Sequence, residues 1–219
     1  FGEKGDFITA PNVSVLFSEM IALWIISFWE NLKCPKKFNL VELGSGNGEM
    51  IKIIVDTFNK FPQFKDCCNI KILEKSKLLK KIQKKKIKDK KVKWLNDLNE
   101  LNSLPCIFIA NEFFDALPIK QFIKIKNKWH ERYVNFANNK KPEFLDIPFD
   151  IKKLEKKIKF IISSKQKFIE YSPLTSEYLK KITNKIKVND GGILIIDYGY
   201  MNHKMKNTLQ AISKHKYSS

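Results

Sequence analysis

Apolar residues along this chain come in short runs, and the spacing between them changes from one run to the next. After a polar loop, Gly5-Asp6-Phe7-Ile8-Thr9-Ala10-Pro11-Asn12-Val13-Ser14, the residues Val15, Leu16, Ile21, Leu23 and Trp24 predict a helix that Asn12 or Ser14 could cap. Its most apolar stretch, Met20 to Trp29, is too short to span a bilayer and predicts a buried helix. Leu40 and Val41 then open a strand-like run that breaks into alternating glycines, Gly44, Gly46 and Gly48. It resumes as Met50, Ile51, Ile54, Val55 and Phe58 at helical spacing, which reads as strand, tight turn, helix. The rhythm repeats. Asn69 to Leu73 predicts a second strand ending in Glu74, and Ser76 can cap a helix with Leu78, Leu79, Ile82 and Ile87 on one side. Val92-Lys93-Trp94 and Ile107-Phe108-Ile109-Ala110 predict a third and a fourth strand. Such alternation predicts the α/β class, with an open, Rossmann-like sheet carrying helices on both faces.

Past the fourth strand the period changes. Ile119 to Ile125 and Trp129 to Phe136 alternate apolar and polar positions around Asn127-Lys128, as a β-hairpin does. Residues 121–168 therefore predict an insertion that could form a lip on the substrate side. From Phe168-Ile169-Glu170-Tyr171-Ser172-Pro173 the first rhythm returns, with a helix through Leu179 and Ile186, then Gly191-Gly192 and a strand from Ile193 to Ile196. That strand ends in Asp197-Tyr198-Gly199-Tyr200, and the tail from Met201 reads as a loop. A seven-stranded sheet would need two further strands. The expectation is thus one domain over 1–219, a fragment whose last strands are missing.

Composition narrows the picture. The 219 residues, 43% of them hydrophobic, suit one domain with a proper core. A net charge of +18 points toward nucleic acid, but the excess is lysine, with Arg132 the single arginine. Arginine is favoured for bidentate contacts with bases and phosphates, so the lysines read as solvated faces, the dense run Lys80 to Lys93 included. Nucleic acid is thereby disfavoured as a partner, and no membrane insertion is expected. Cys34, Cys67, Cys68 and Cys106 form no Cys-x-x-Cys pair, and His130, His203 and His215 have no metal-ligand spacing, so free thiols and no metal site are expected.

The glycine turn is the first chemical signal. A dinucleotide fingerprint needs glycine or alanine three positions after its second glycine, where this chain has Glu49; a pyrophosphate would meet a carboxylate there. With Glu42 just ahead of it, the turn better suits a cationic ligand without phosphate, and S-adenosylmethionine is of that kind. Glu74, at the end of the second strand, is placed to accept from both ribose hydroxyls. Asp97 could reach an adenine amino group or serve as a turn residue, and Asp6 and Thr9 could belong to a flap over the cofactor or to an ordinary capping loop. After the fourth strand, Asn111-Glu112-Phe113-Phe114-Asp115-Ala116-Leu117-Pro118 sets two carboxylates beside aromatic rings. They could clamp a guanidinium, which wants planar bidentate hydrogen bonds and stacking; alternatively Asp115 caps a helix start and Glu112 meets solvent. Trp129, His130, Glu131 and Arg132 could touch a substrate or form a cross-strand surface.

Taken in order, Gly5 to Ser14, Val41 to Gly48, Asn111 to Pro118, Trp129-His130-Glu131-Arg132 and Asp197-Tyr198-Gly199-Tyr200 resemble the MidA-like family of S-adenosylmethionine-dependent methyltransferases. The family is related to the mitochondrial protein arginine methyltransferase that assists assembly of respiratory complex I. It usually carries Pro-Gly-Arg-Gly where this chain has Ser45-Gly46-Asn47-Gly48, and Glu in place of Asn12. The resemblance implies a class I methyltransferase fold and symmetric dimethylation of an arginine on a complex I subunit, with S-adenosyl-L-methionine as cofactor. It further implies Glu112 and Asp115 as catalytic, and Glu42, Gly44, Gly46, Gly48, Glu74, Asp97, Asn111, Asp6 and Thr9 as cofactor-binding. A protein substrate is implied as partner, in the cytoplasm of a bacterium or the mitochondrial matrix of a eukaryote, while the oligomeric state stays open. Two other classes remain: a non-catalytic assembly factor that binds the cofactor, and a nucleic-acid methyltransferase.

Overall fold

A short helix, α1 (Ala10–Val13), leads into α2 (Val15–Asn31), and β1 (Phe38–Leu43) follows. The computed structural model describes residues 10–136, 142–199, 205–209, 211–213 and 216–218; Asp6 and Thr9, which the resemblance implies as cofactor-binding, lie outside them. Every residue of β1 is buried, as a central strand covered on both faces must be. Because successive side chains point to opposite faces, Phe38 and Leu40 enter one apolar layer and Val41 and Leu43 the other. The chain continues as α3 (Glu49–Phe58), α4 (Pro62–Cys67), β2 (Cys68–Leu73), α5 (Lys77–Lys86), β3 (Lys93–Leu95), a 3₁₀ turn at Leu98–Glu100 and β4 (Cys106–Asn111). It then passes through β5 (Lys120–Ile125), β6 (Lys128–Asn135), β7 (Glu143–Pro148), α6 (Ile151–Ile158) and β8 (Phe168–Tyr171), and returns by α7 (Pro173–Asn189) to β9 (Gly191–Ile196).

The chain divides into two units, Phe1–Ala116 with Tyr178–Tyr198 and Gln210–Ser219, and Leu117–Glu177 with Gly199–Leu209. The first holds a parallel sheet in the order β3-β2-β1-β4-β9. Its strand order reverses between β1 and β4, which opens a crevice at the carboxyl ends of the strands. The registers Leu43↔Leu73, Leu43↔Ala110 and Asn111↔Ile196 bring the residues that follow each strand to that one edge. Gly44, Glu74, Glu112 and Asp197 are those residues. At the opposite edge a β-carbon on Gly191, whose φ is +133°, would stand 1.9 Å from the Cys106 carbonyl oxygen, so β9 approaches β4 there only as glycine.

The second unit carries an antiparallel sheet, β7-β6-β5-β8, around Phe122, Leu154 and Ile169, with Trp129 and Phe149 packed against them. Glu131 pairs with Lys120 at 2.6 Å, and Arg132 holds Asp146 with two bonds of 2.8 and 2.9 Å while lying over the Phe144 ring. These residues therefore have cross-strand partners within their own sheet.

Four expectations are corrected here. Only one face of α2 is buried, through Ser18, Ile21, Ala22 and Ile25; Leu16 is 63% exposed and Met20 57%, since α2 covers the sheet with a single stripe. The hairpin turn falls on Lys126-Asn127 rather than Asn127-Lys128, because both are left-handed, with φ of 45° and 63°, as a two-residue turn between twisted strands requires. Phe168 to Tyr171 does not rejoin the first sheet: it pairs antiparallel with β5, the place beside β4 being taken by β9, so the inserted unit reaches from Leu117 to Glu177 rather than from 121 to 168. In the tail, where a loop is expected, β10 (Ala211–Ser213) pairs antiparallel with β11 (Lys216–Ser218). Among the described residues, no helix is long and apolar enough to cross a membrane.

Candidate functional site

At the carboxyl end of β1 the backbone turns through Gly44, Gly46 and Gly48, with φ of 64°, 52° and 79°. The Gly44 amide donates to the Leu73 carbonyl and the Gly48 amide to the Ser45 carbonyl, at 3.0 and 2.8 Å. A β-carbon on Gly44 would stand 2.7 Å from Cδ2 of Phe113, whereas one on Gly46 would meet nothing within 4 Å. The turn is thus tight against the acidic loop at one glycine and open to an approaching ligand at the next. Behind it, α3 begins with a carboxylate, Glu49, paired with Lys86 at 2.6 Å, and its first amide is already taken by the Asn47 side chain. A phosphate would meet that carboxylate and find the first helical amide already bonded, so the turn lacks the usual reception for a phosphate.

Glu42, the penultimate residue of β1, is 3% exposed and accepts a hydrogen bond from the Ser45 hydroxyl. Burial pushes its carboxyl up to about 7, against the pull of the Ser45 bond and with help from the negative charge of Glu74. The folded value lies above the ordinary 4.5, so the folded chain binds more protons between those two pH values and stability falls as pH rises across them. The loss totals about 3 kcal/mol and is complete above pH 7. Glu42→Gln should flatten this slope, which urea unfolding midpoints at pH 5, 6, 7 and 8 would measure.

Glu74 is also buried, its two oxygens accepting from the Ser76 amide at 2.9 Å and the Gln83 side chain at 3.1 Å. Asp97 caps the 3₁₀ turn, accepting from the Asn99 amide, and forms an ion pair with Lys181 at 3.0 Å; those bonds hold its carboxyl below the usual range. Asn111 ends β4 with a buried Oδ1 that has no hydrogen-bond partner among the described residues, an acceptor left for a ligand's donor.

No helix follows Asp115; residues 112–119 form bends and turns, so the carboxylate caps no helix. Glu112 is left-handed at φ 47°, and its amide donates to the Ile196 carbonyl at 2.8 Å. Asp197 then takes hold of the loop: one of its oxygens accepts from the amides of Phe114 and Asp115, at 3.0 and 3.3 Å, and the other from the Tyr198 amide. Phe113 packs edge-on against Phe114 and Tyr178. Burial lifts the Glu112 carboxyl, and the negative charges of Asp115 and Asp197 lift it further; burial and then Asp197 do the same for Asp115. Two carboxyls lifted in this way, beside the negative charge of Asp197, make a seat for a cation with several donors. Among the described residues no group of three or more His, Cys, Asp or Glu side chains could hold a metal ion.

Asp197 and Gln83 are the two residues missed from sequence. Asp197 carried a faint signal, an acid directly after a strand; Gln83 carried none, standing in a run of lysines.

A family model described as "Putative S-adenosyl-L-methionine-dependent methyltransferase" matches residues 20–219. Protein arginine methyltransferase NDUFAF7, mitochondrial, of Xenopus laevis is 28% identical over 93% of this chain and 52% of its own length. The Homo sapiens protein of the same name is 26% identical over 98% and 54%, and the Caenorhabditis elegans homolog 29% over 99% and 55%. The chain spans about half the length of these curated relatives. Among solved structures, a Burkholderia thailandensis protein bound to S-adenosyl-homocysteine superimposes with a TM-score of 0.64 at 20% identity, over 81% of this chain and 46% of that one. A native structure from the same organism gives 0.69 at 20% identity, over 92% and 53%. These two likenesses establish the fold.

Proposed function

Since the chain belongs to this family of S-adenosyl-L-methionine-dependent methyltransferases, we propose that it methylates an arginine side chain in a protein, by symmetric dimethylation of a respiratory complex I subunit. The observation that carries this reading is the acidic corner: Glu112, Asp115 and Asp197 gather at the strand edge that also bears the glycine turn. A guanidinium offers a planar fork of donors and a permanent positive charge, which three mutually repelling carboxylates favour. S-adenosyl-L-methionine, when bound, supplies an already activated methyl group, so what the chain must add is orientation and charge. Glu42, Gly44, Gly46, Gly48, Glu74 and Asn111 hold the donor. Glu112 and Asp115 fix the guanidinium and turn one nitrogen toward the methyl. A carboxylate held above its ordinary range is also the better acceptor for the proton that nitrogen gives up.

The inserted unit, Leu117–Glu177 with Gly199–Leu209, is assigned to recognition of the substrate protein beyond its arginine. In a eukaryote the place of action is the mitochondrial matrix, in keeping with the mitochondrial relatives. The test is methyl transfer from labelled donor by the full-length protein to complex I subunits, read by mass spectrometry of arginine. Dimethylarginine is the expected product. Cofactor binding without transfer to any protein would overturn the reading in favour of a non-catalytic assembly factor.

A further inference from the structure

Gln83 stands among lysines on α5, yet none of its surface is exposed. Its amide reaches three other segments of the first unit. Nε2 donates to the Gly46 carbonyl at 2.8 Å and to the Glu74 carboxylate at 3.1 Å, while Oε1 accepts from the Trp94 indole at 2.8 Å. A primary amide has two N–H donors, and both are used. Reversing it would set its oxygen against two acceptors and its nitrogen against the indole N–H, so its orientation is settled by its partners. Gly48 adds a second fit, for a β-carbon there would come within 3.2 Å of Gln83 Cγ. A hydrophobic residue in this space would take the partner from the Gly46 carbonyl, the Glu74 oxygen and the Trp94 N–H, whereas the amide leaves each of its own polar atoms bonded. The two groups it joins, a carbonyl of the glycine turn and a carboxylate at the end of β2, belong to the two halves of the donor's seat.

We propose that Gln83 is a positioning residue of the cofactor seat, locking the glycine turn and the Glu74 carboxylate into one rigid arrangement, with Trp94 holding the amide in place. The proposal rests on the cofactor reading above. Glu74 acts on the ribose, and Gln83 acts through Glu74. Without the amide, the Gly46 carbonyl and one oxygen of Glu74 lose the side chain that joins them, and the carboxylate, held only through the Ser76 amide, ceases to distinguish a ribose from a deoxyribose.

Calorimetric titration with S-adenosylhomocysteine and with its 2′-deoxy analogue tests this without any turnover. Wild type should prefer the ribose form by about tenfold or more, the value of a hydrogen bond to a charged acceptor. Gln83→Met, which keeps the volume and removes the donors, should bind S-adenosylhomocysteine about tenfold more weakly and lose that preference to within about threefold. In a Glu74→Gln background the same change should have little further effect. If Gln83→Met fails to fold, Gln83→Asn, which keeps the amide but shortens its reach, must show the same loss of preference. Equal weakening of both ligands, or wild-type affinity in the folded variant, overturns the proposal. Failure of wild type to bind S-adenosylhomocysteine at all overturns the cofactor reading instead, and this one with it.

Discussion

Glu112→Gln should lower methyl transfer to an arginine-bearing protein by about 100-fold or more, while S-adenosylhomocysteine affinity stays within about threefold of wild type. The neutral amide keeps the shape of the side chain but presents an NH₂ group to a substrate that has only donors, so one arm of the clamp turns repulsive. Asp115→Asn should behave alike. A pH signature separates the clamp from a general loss of structure. Both carboxyls lie above their ordinary values through burial and through the charges of their neighbours, Asp197 among them. They must be ionised to hold a guanidinium, so wild-type kcat/KM should fall as pH drops through those raised values. Removing the Asp115 charge should let Glu112 ionise more easily and move that limb to lower pH in the residual activity. A pH–rate profile of wild type and Asp115→Asn, with circular dichroism to confirm folding, measures both effects. An unchanged limb would mean that these carboxyls do not govern the rate.

Gly44→Ala should be nearly as damaging, by a different route. A β-carbon at that position would sit 2.7 Å from the Phe113 ring on a backbone with φ of +64°, so the ring must move and the backbone is strained. Phe113 is the neighbour of Glu112 and packs against Phe114 and Tyr178. Displacing the ring carries the acidic loop with it, so one methyl group should disturb both donor binding and acceptor placement. We expect kcat/KM to fall by about 100-fold and stability by about 2 kcal/mol. Gly46→Ala supplies the contrast. Its φ is +52°, but nothing lies within 4 Å of the added carbon, so its backbone penalty is similar while Phe113 and the acidic loop stay in place. Its activity loss should therefore appear in donor affinity and leave turnover at saturating donor within about threefold. Should the two variants prove kinetically alike, the contact between Gly44 and Phe113 would not couple the two halves of the site.

Local pattern carried the parallel sheet. Phe38, Leu40, Val41 and Leu43 are apolar because β1 is covered on both faces, and the helical spacing from Met50 to Phe58 follows from one face of α3 being buried. The ends of those runs also located Glu74, Glu112 and Asp115, since an acid that closes an apolar run marks where the strand gives way to the loop beyond it. Lateral neighbours were another matter. Asp197 reaches Phe114 and Asp115 because β9 lies beside β4, and nothing in the local period of either strand says which strands adjoin. For the same reason Phe168 to Tyr171 looked like a return to the first sheet although it pairs with β5. Gln83 is the sharpest instance: amid lysines it has the sequence character of a solvated face, and only the meeting of α5 with the glycine turn, β2 and β3 buries it. Hydrophobic spacing by itself determined which elements form and which acids end them, because each element's period records its own burial. Which carboxylates meet, and which amide ties them to the backbone, the tertiary structure decided, because those contacts join segments whose pairing no local period encodes.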